Sequence, residues 1–527
     1  MQSDQQVSEM TANSTGTTEA TSTTVAAALP RPADLSWRER VRPYCSFLVV
    51  LTFLVLALVF IFSRGKVADP DIWWHLHNAE YLMQHHAFPR QDTFSFTVAG
   101  YPWMNHEWLA ELPYYFAWRA MGLRGIEWLT FVVLCAIFLG ILYLSYRECG
   151  HYKAAVAACC CAVFLALHSF GPRTILFGYA LMVVLLIILQ RFEQKGHAPL
   201  WLIPLLFGAW VNTHGSWFIG LIMFSAVVAA GFVPLKWGLV ESEPWTAGQK
   251  KRVLLTWLAS IAMLFVNPFG ARLVLYPLDM AFRQKMNIEH VEEWVSINFH
   301  DPRGKFVLLV LLMLLISALV RPRRWRLAEL ALVLFAVYSG LTYIRFLFLM
   351  GIVITPTLAK ALDFLPEYRP EDDTPLVNVF AMLLIVAGVV YYWPGETRLR
   401  ASVNDQYPTE ALVYLHDYAP PGPTLNYYLW GGYINWRDRD LKVFVDGRGD
   451  IFDYSGVLKD YLDLISVKDV DALLGKYKIQ YVLFPHGEPL TYVLEHDQKW
   501  KEVYSDRVSV VLRRAEGEPA DDAHPRP

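Results

Sequence analysis

Asp69, Asp71 and His75 lie close together in the sequence, in types and spacing that suit general-base or cation-binding chemistry. Asp71 and His75 are four residues apart and so share one face of a helix, with Asp69 and Pro70 at its start. A carboxylate beside an imidazole can act as a general base or hold a divalent cation. His106 and Glu107 close the same loop, where folding can bring them to the first group. The same residues also read more plainly, with Asp69 and Asp71 as first-turn acids favoured by the helix dipole and the histidines and tryptophans as interfacial anchors.

A second set points to anion binding. Arg345 stands at the start of an apolar run in SGLTYIRFLFLMG, and a guanidinium at membrane depth needs an anion. Lipid phosphate is the anion met most often there, and snorkelling to bulk phospholipid is the alternative. Arg173 and His214 are the residues expected to assist Arg345. The expected catalytic group is therefore Asp71, Asp69, His75, His106 and Glu107, and the expected phosphate group is Arg345, Arg173 and His214. If a divalent cation such as Mg or Mn takes part, Asp71 and Glu107 are its ligands; no other cofactor is expected. His77, His85 and His86 lack a zinc-binding context.

The elements that must position these residues are membrane helices. The chain has 527 residues, 55% hydrophobic and only 18% charged, and its mean hydropathy is +0.29. A bilayer core of about 30 Å needs about 20 apolar helical residues per crossing. Runs of this kind fall at 47–62, 126–146, 154–170, 175–189, 200–211, 217–233, 253–266, 306–319, 327–342, 346–361 and 376–393. That predicts a polytopic membrane protein of about eleven spans. The first run reads as an uncleaved anchor rather than a cleaved signal peptide. A net charge of −3 gives no reason to expect nucleic acid as a partner.

Basic residues set the orientation. Arg38, Arg40 and Arg42 precede the first run, and Arg147, Lys153, Arg191, Lys195, Lys250, Lys251, Arg321 and Arg326 fall on the same side of the alternation, which is cytoplasmic by the excess of positive charge. This holds only if 108–121, with Glu111, Pro113 and Arg119, is an interfacial amphipathic helix rather than a span. Asp69, Asp71, His75, His106, Glu107, His168, Arg173, His214, Tyr276, Glu292, Glu293, Trp294 and Arg345 then share the outer side, as one cavity would require.

Four regions follow. Residues 1–37 read as a disordered cytoplasmic tail poor in large apolar groups, 38–394 as the membrane domain with 64–125 as its first outer loop, 395–514 as a soluble extracytoplasmic α/β domain, and 515–527 as an acidic tail. β-type runs are expected at 441–452, 479–485 and 508–514, with helices at 409–417 and 470–477. Arg448-Gly449-Asp450 reads as a turn at a strand end. None of the six cysteines lies in an outer loop, so no disulfide framework is expected; Cys159, Cys160 and Cys161 read as small packing residues.

Several stretches resemble a known superfamily. DIWWHLHNAEYL, FPRQDTFSFT, PWMNHEWLAE, WVNTHGSWFIGL, VNPFGARLVLYPL, EEWVSINF, RFLFLMGIVITPTLA and WGGYINWRDRDLKVFVDGRGDIF are similar to a group of bacterial membrane proteins of GT-C type. That superfamily includes protein O-mannosyltransferases, lipid A aminoarabinose transferases and oligosaccharyltransferase catalytic subunits. The resemblance spans 38–514. It departs from the mannosyltransferase Asp-Glu pair, having Asp69-Pro70-Asp71 instead, and it lacks the oligosaccharyltransferase Trp-Trp-Asp motif, so only Asp71 carries over by position.

The resemblance implies a membrane-embedded glycosyltransferase that moves a sugar from a polyprenyl-phosphate donor to an extracytoplasmic lipid, glycan or protein in the cell envelope, with inversion at the anomeric carbon. Asp71 would be the base, Arg345 with Arg173 would stabilise the leaving phosphate, Trp73, Trp74 and Trp103 would stack on sugar or prenyl groups, and the soluble domain would cover the cavity or recruit acceptor. Two other functions fit the same composition: a lipid or sugar transporter, and a non-catalytic scaffold of envelope polysaccharide assembly.

Overall fold

The structure is a computed structural model describing residues 41–65, 67, 69–290 and 294–515. Residues 1–40 and 516–527, which hold nearly all of both expected tails, and Glu292 and Glu293 lie outside the described residues.

Each of the eleven apolar runs coincides with a helix. Among the described residues, five helices are long and apolar enough to cross a bilayer: Leu123–Cys149, Tyr152–Ser169, Ile175–Lys195, Pro302–Val320 and Ile344–Ala361. Phe47–Ser63, Trp217–Ala230 and Leu327–Thr342 are apolar but shorter, and Pro375–Tyr391 bends by 53° into Glu396–Asn404. Leu202–Trp210 has only 9 residues, about 14 Å of helix. The chain is a multi-pass, mostly helical membrane protein.

The bundle is organised around Leu347–Ala361, buried along most of its length and packed on Leu123–Cys149, Tyr152–Ala166 and Leu327–Thr342. Small residues allow the close approach: Gly351 faces Ala162, and Gly340 faces Met350. Both termini of this helix carry charge, with Arg345 just before it and Lys360 in its last turn.

The first outer loop is built from two helices. Asp71–His85 starts after Pro70 with Asp71 in its first turn, and it stops at His86, whose φ is 51°. Trp108–Met121 carries Pro113 inside it and buries Ala110, Glu111, Tyr114 and Tyr115 while Phe116 stays exposed. It turns into Leu123–Cys149 at Gly122, whose φ is 63°, and packs close to it, since a Cβ on Gly125 would lie 1.9 Å from the Ala117 carbonyl oxygen.

From Glu396 onward the chain forms a small α/β unit. Its sheet pairs Thr424–Asn426 parallel with Tyr481–Pro485, which runs antiparallel to Ser509–Arg514, itself antiparallel to Trp500–Ser505. Helices occupy Thr409–Asp417 and Val470–Lys476, close to the expected segments.

The run at 441–452 departs from expectation. Val443 exchanges backbone hydrogen bonds with Phe94 and Phe96 of the outer loop, while the Asn426 side chain takes Phe444 N–H and the Val445 carbonyl. With those groups engaged, the segment cannot join the sheet. Beyond Val445 it turns over the outer loop, and Gly449–Ser455 is a short helix. Arg448-Gly449-Asp450 is therefore not a turn at a strand end.

Candidate active site

One end of the apolar helices, the loop that bears Asp71–His85 and Trp108–Met121, and the α/β unit enclose one cavity of about 610 Å³. Asp69, Asp71, His75, His106, Glu107, Arg173, His214 and Arg345 all line it. Residues spread over nearly three hundred positions meet there because the loop helix Asp71–His85 is pinned from both sides.

Asp71 sits at the start of that helix. Trp74 Nε1 donates to its Oδ1 at 3.0 Å, and its own N–H donates to Asp69 Oδ1 at 2.9 Å. Asp69 in turn pairs with Arg173, which fixes the loop to the start of Ile175–Lys195. Burial, and then the Asp69 charge, push the Asp71 carboxyl up to about 7, against the pull of His75, Trp74 and Arg173. A carboxyl titrating there is poised to accept a proton near neutral pH.

Glu107 is the hub of a second group. Thr174 Oγ1 donates to its Oε2 at 2.8 Å, and His75 Nε2, His214 Nε2 and His106 Nε2 approach it at 3.4, 3.3 and 3.5 Å. Burial alone would raise this carboxyl, yet His214, His106, His75 and Thr174 together hold it near 2. Burial first of all drives His214 down to about 4, so it is neutral at pH 7. Its Nδ1 accepts the Ser216 N–H at 2.9 Å, which leaves Nε2 as the protonated nitrogen facing Glu107. Neutral His214 thus serves as a donor without carrying charge.

His75 differs. Its Nδ1 meets Glu111 Oε1 at 2.9 Å while its Nε2 lies 3.4 Å from Glu107 Oε2, so each ring nitrogen faces a carboxylate. Burial opposes the charge, but the Glu111 hydrogen bond and the two carboxylates outweigh it and raise the imidazole's pKa. Glu111 is fully buried and also accepts from Asn105 Nδ2 at 2.7 Å. Sequence reasoning assigned Glu111 only to an interfacial helix. Its signal was the spacing: Glu107 and Glu111 are four apart, a repulsive pair unless a cation lies between them.

Arg345 lies over the Trp294 ring, its guanidinium carbon 4.2 Å from the centroid. Its Nε is buried and has no hydrogen-bond partner among the described residues. Arg173 and His214, expected beside it as phosphate ligands, are engaged by Asp69 and Glu107 instead.

The α/β unit supplies the far wall. Gly447 rests directly on Asp71, where a Cβ would fall 1.9 Å from Oδ1; only glycine permits that approach. Arg448 is 1% exposed, paired with Asp446 and Asp92 at 2.7 Å each, and clamped between the Phe94 and Trp103 rings. Asp450 lines the cavity and accepts from Tyr276 Oη at 3.3 Å. Trp74 and Trp103 also line it, whereas Trp73 is buried edge-on to Tyr407 and Tyr433 and faces no ligand space.

Among the described residues, no three His, Cys, Asp or Glu side chains are arranged to hold a metal ion. The carboxylates of Asp69, Asp71 and Glu107 are each engaged by protein donors.

Solved structures share this architecture at low sequence identity. The oligosaccharyltransferase of Archaeoglobus fulgidus, in its apo form, aligns with a TM-score of 0.54 at 13% identity, over 86% of this chain and 70% of its own. The same protein tethered to an acceptor peptide aligns at 0.52 and 14%, over 92% and 75%. ArnT from Cupriavidus metallidurans bound to undecaprenyl phosphate aligns at 0.51 and 12%, over 88% and 97%. No protein-family model and no curated protein matches the chain.

Proposed function

Starting from a multi-pass membrane protein with the GT-C glycosyltransferase fold, we propose that the chain transfers a sugar from a polyprenyl-phosphate donor to an extracytoplasmic acceptor. The carrying observation is the pairing, in one cavity at the ends of apolar helices, of a carboxyl held near 7 with a guanidinium whose buried Nε has no partner among the described residues. The first is the equipment of a general base; the second suits a phosphate. The bound undecaprenyl phosphate of the ArnT structure supports a polyprenyl-phosphate partner.

In this reading the prenyl tail lies among membrane lipids and its phosphate is held at Arg345. The acceptor oxygen forms a bond to the sugar's anomeric carbon while the bond from that carbon to the phosphate oxygen breaks. The electron pair leaves with the polyprenyl phosphate, whose charge Arg345 stabilises, and the acceptor's proton passes to Asp71. Attack opposite the leaving group inverts the anomeric centre. The imidazolium of His75, braced by Glu107 and Glu111, keeps a positive charge beside Asp71 and favours its ionised form. No step runs through a metal.

The orientation follows from the other end of the bundle, where Arg321, Arg323, Arg326 and Lys360 gather. We assign that end to the cytoplasm of a bacterial inner membrane, with the α/β unit outside.

The test uses the purified chain in nanodiscs with a panel of polyprenyl-phosphate sugars and follows release of polyprenyl phosphate. Turnover lost in Asp71→Asn and Arg345→Ala, with folding intact, supports the transferase. Absence of release with every donor favours an envelope scaffold, and sugar crossing the bilayer without bond cleavage favours a transporter.

A further inference from the structure

The helix Ala271–Arg283 has two faces of opposite character. Leu273, Tyr276 and Met280 follow one another at helical spacing and turn inward: Leu273 and Tyr276 are buried, and Tyr276 and Met280 line the cavity. Tyr276 Oη donates to Asp450 at 3.3 Å, and its ring centroid lies 4.4 Å from that of His106. Beside them Asp279 accepts from Tyr454, whose Oη takes a hydrogen bond from Gln284 Nε2 at 3.1 Å. The inner face is thus taken up by the protein.

The other face is not. Leu275, Leu278 and Phe282, again three and four apart, are 56%, 40% and 76% exposed. Arg272 and Arg283 are exposed at the border between the faces, where Arg283 also reaches Asp279 at 3.4 Å. A stripe of large apolar side chains is unfavourable in water. With 13 residues, two of them arginine, the helix is too short and too polar to cross a bilayer. The same pattern suits a helix lying in the plane of a membrane surface, apolar side inward and arginines at headgroup level.

The chain just before it indicates what meets that stripe. The preceding helix, Ala247–Met263, carries Lys250, Lys251 and Arg252 near its start and exposes Leu254, Leu255 and Leu258 along its side. Phe265 and Val266, 53% and 58% exposed, carry the apolar surface past its end. The stripe on Ala271–Arg283 therefore continues a surface that already belongs to lipid.

We propose that Ala271–Arg283 is a membrane-surface helix, with Leu275, Leu278 and Phe282 among the acyl chains of the leaflet on the cavity side and Arg272 and Arg283 at lipid phosphates. The occupant of the stripe is phospholipid rather than a second copy of the chain. Tyr276 and Met280 stand on the back of the embedded face, so the bilayer borders the cavity rim directly, whatever chemistry the cavity performs.

The test places the photoreactive residue p-benzoylphenylalanine at Leu278 and at Phe282 in separate variants. A reference variant carries it at Leu255, which is 55% exposed on Ala247–Met263. Each purified chain is irradiated in nanodiscs of phosphatidylethanolamine and phosphatidylglycerol and its intact mass is measured. The expected result is a phospholipid adduct at position 278 or 282 with at least about a fifth of the yield at 255. The proposal is overturned if both positions fall below that yield, or if they cross-link to a second copy in place of lipid. Two independent positions keep the test decisive where one variant fails to fold.

Discussion

The two ends of the helix bundle both gather charged side chains and use them differently. At the end we assign to the cytoplasm, Lys360 Nζ meets Glu148 and Glu329 at 2.6 and 2.9 Å, and Arg326 bridges Glu148, Glu193 and Glu329. The space among them is about 80 Å³. Each charge there has an opposite partner in reach. At the opposite end the cavity is about 610 Å³, and among the described residues the Asp71 carboxyl accepts from the Trp74 side chain while Arg345 Nε has no partner. Ionisable groups near a bilayer are costly wherever they sit. What separates a clamp from a reaction site is whether the protein itself satisfies them.

The largest expected effect comes from removing the poised base. Asp71→Asn keeps the Trp74 contact and abolishes proton acceptance, so kcat falls about 10²- to 10⁴-fold, the usual worth of a positioned general base. Release of polyprenyl phosphate by the purified variant measures it. A loss under tenfold would mean that the outer carboxyl is no more chemical than Glu148, and the contrast between the ends would dissolve.

Arg345 comes next. Arg345→Ala removes a charged donor worth roughly 1.5–3 kcal/mol, or about 10- to 100-fold in kcat/KM for the donor. Arg345→Lys restores charge without the planar fork that stacks on Trp294 and so recovers only part of the loss. Full recovery in the lysine variant would show that charge alone matters there.

How much of this was legible beforehand depended on what kind of signal each residue carries. The apolar runs announced their helices because hydrophobic length is read directly. The eight candidate residues were picked by type and spacing and grouped by sidedness, since polar groups at alternate ends of spans must share a compartment, and all eight line one cavity. The contributions of Asp450 and Gly447 were hidden, since they depend on how two distant regions dock. VFVDGRGD has the composition of a strand and turn, and nothing local says that Asn426 will take its backbone groups or that Gly447 must clear Asp71. The pairing of Glu111 was missed for a related reason: its partner His75 is 36 positions away.

The cytoplasmic clamp supplies a control with a smaller effect on chemistry. Glu148→Gln leaves Arg326 and Lys360 short of an anion and lowers stability by roughly 1–3 kcal/mol; Arg326 is 39% exposed, so water offsets part of the cost. Thermal unfolding in detergent reads the loss, and kcat stays within about threefold. A kcat loss matching that of Asp71→Asn at full folding would place a working group at this end as well.

The finest test moves a pKa without removing the base. The Asp69 charge pushes the Asp71 carboxyl upward, second only to burial, and Asp69 also occupies Arg173, which pulls the other way. Asp71 must be ionised to take a proton, so in the wild type kcat rises with pH through about 7. Asp69→Asn removes a neighbouring negative charge and weakens the hold on Arg173. Both changes favour the ionised form of Asp71, so the acidic limb shifts to lower pH by about one unit. The reading is the position of the limb, which survives any loss of amplitude from a looser loop. A limb that stays in place, or moves upward, would mean that another group, His75 first among them, sets the profile, and the poised carboxyl at the outer end would lose its assignment.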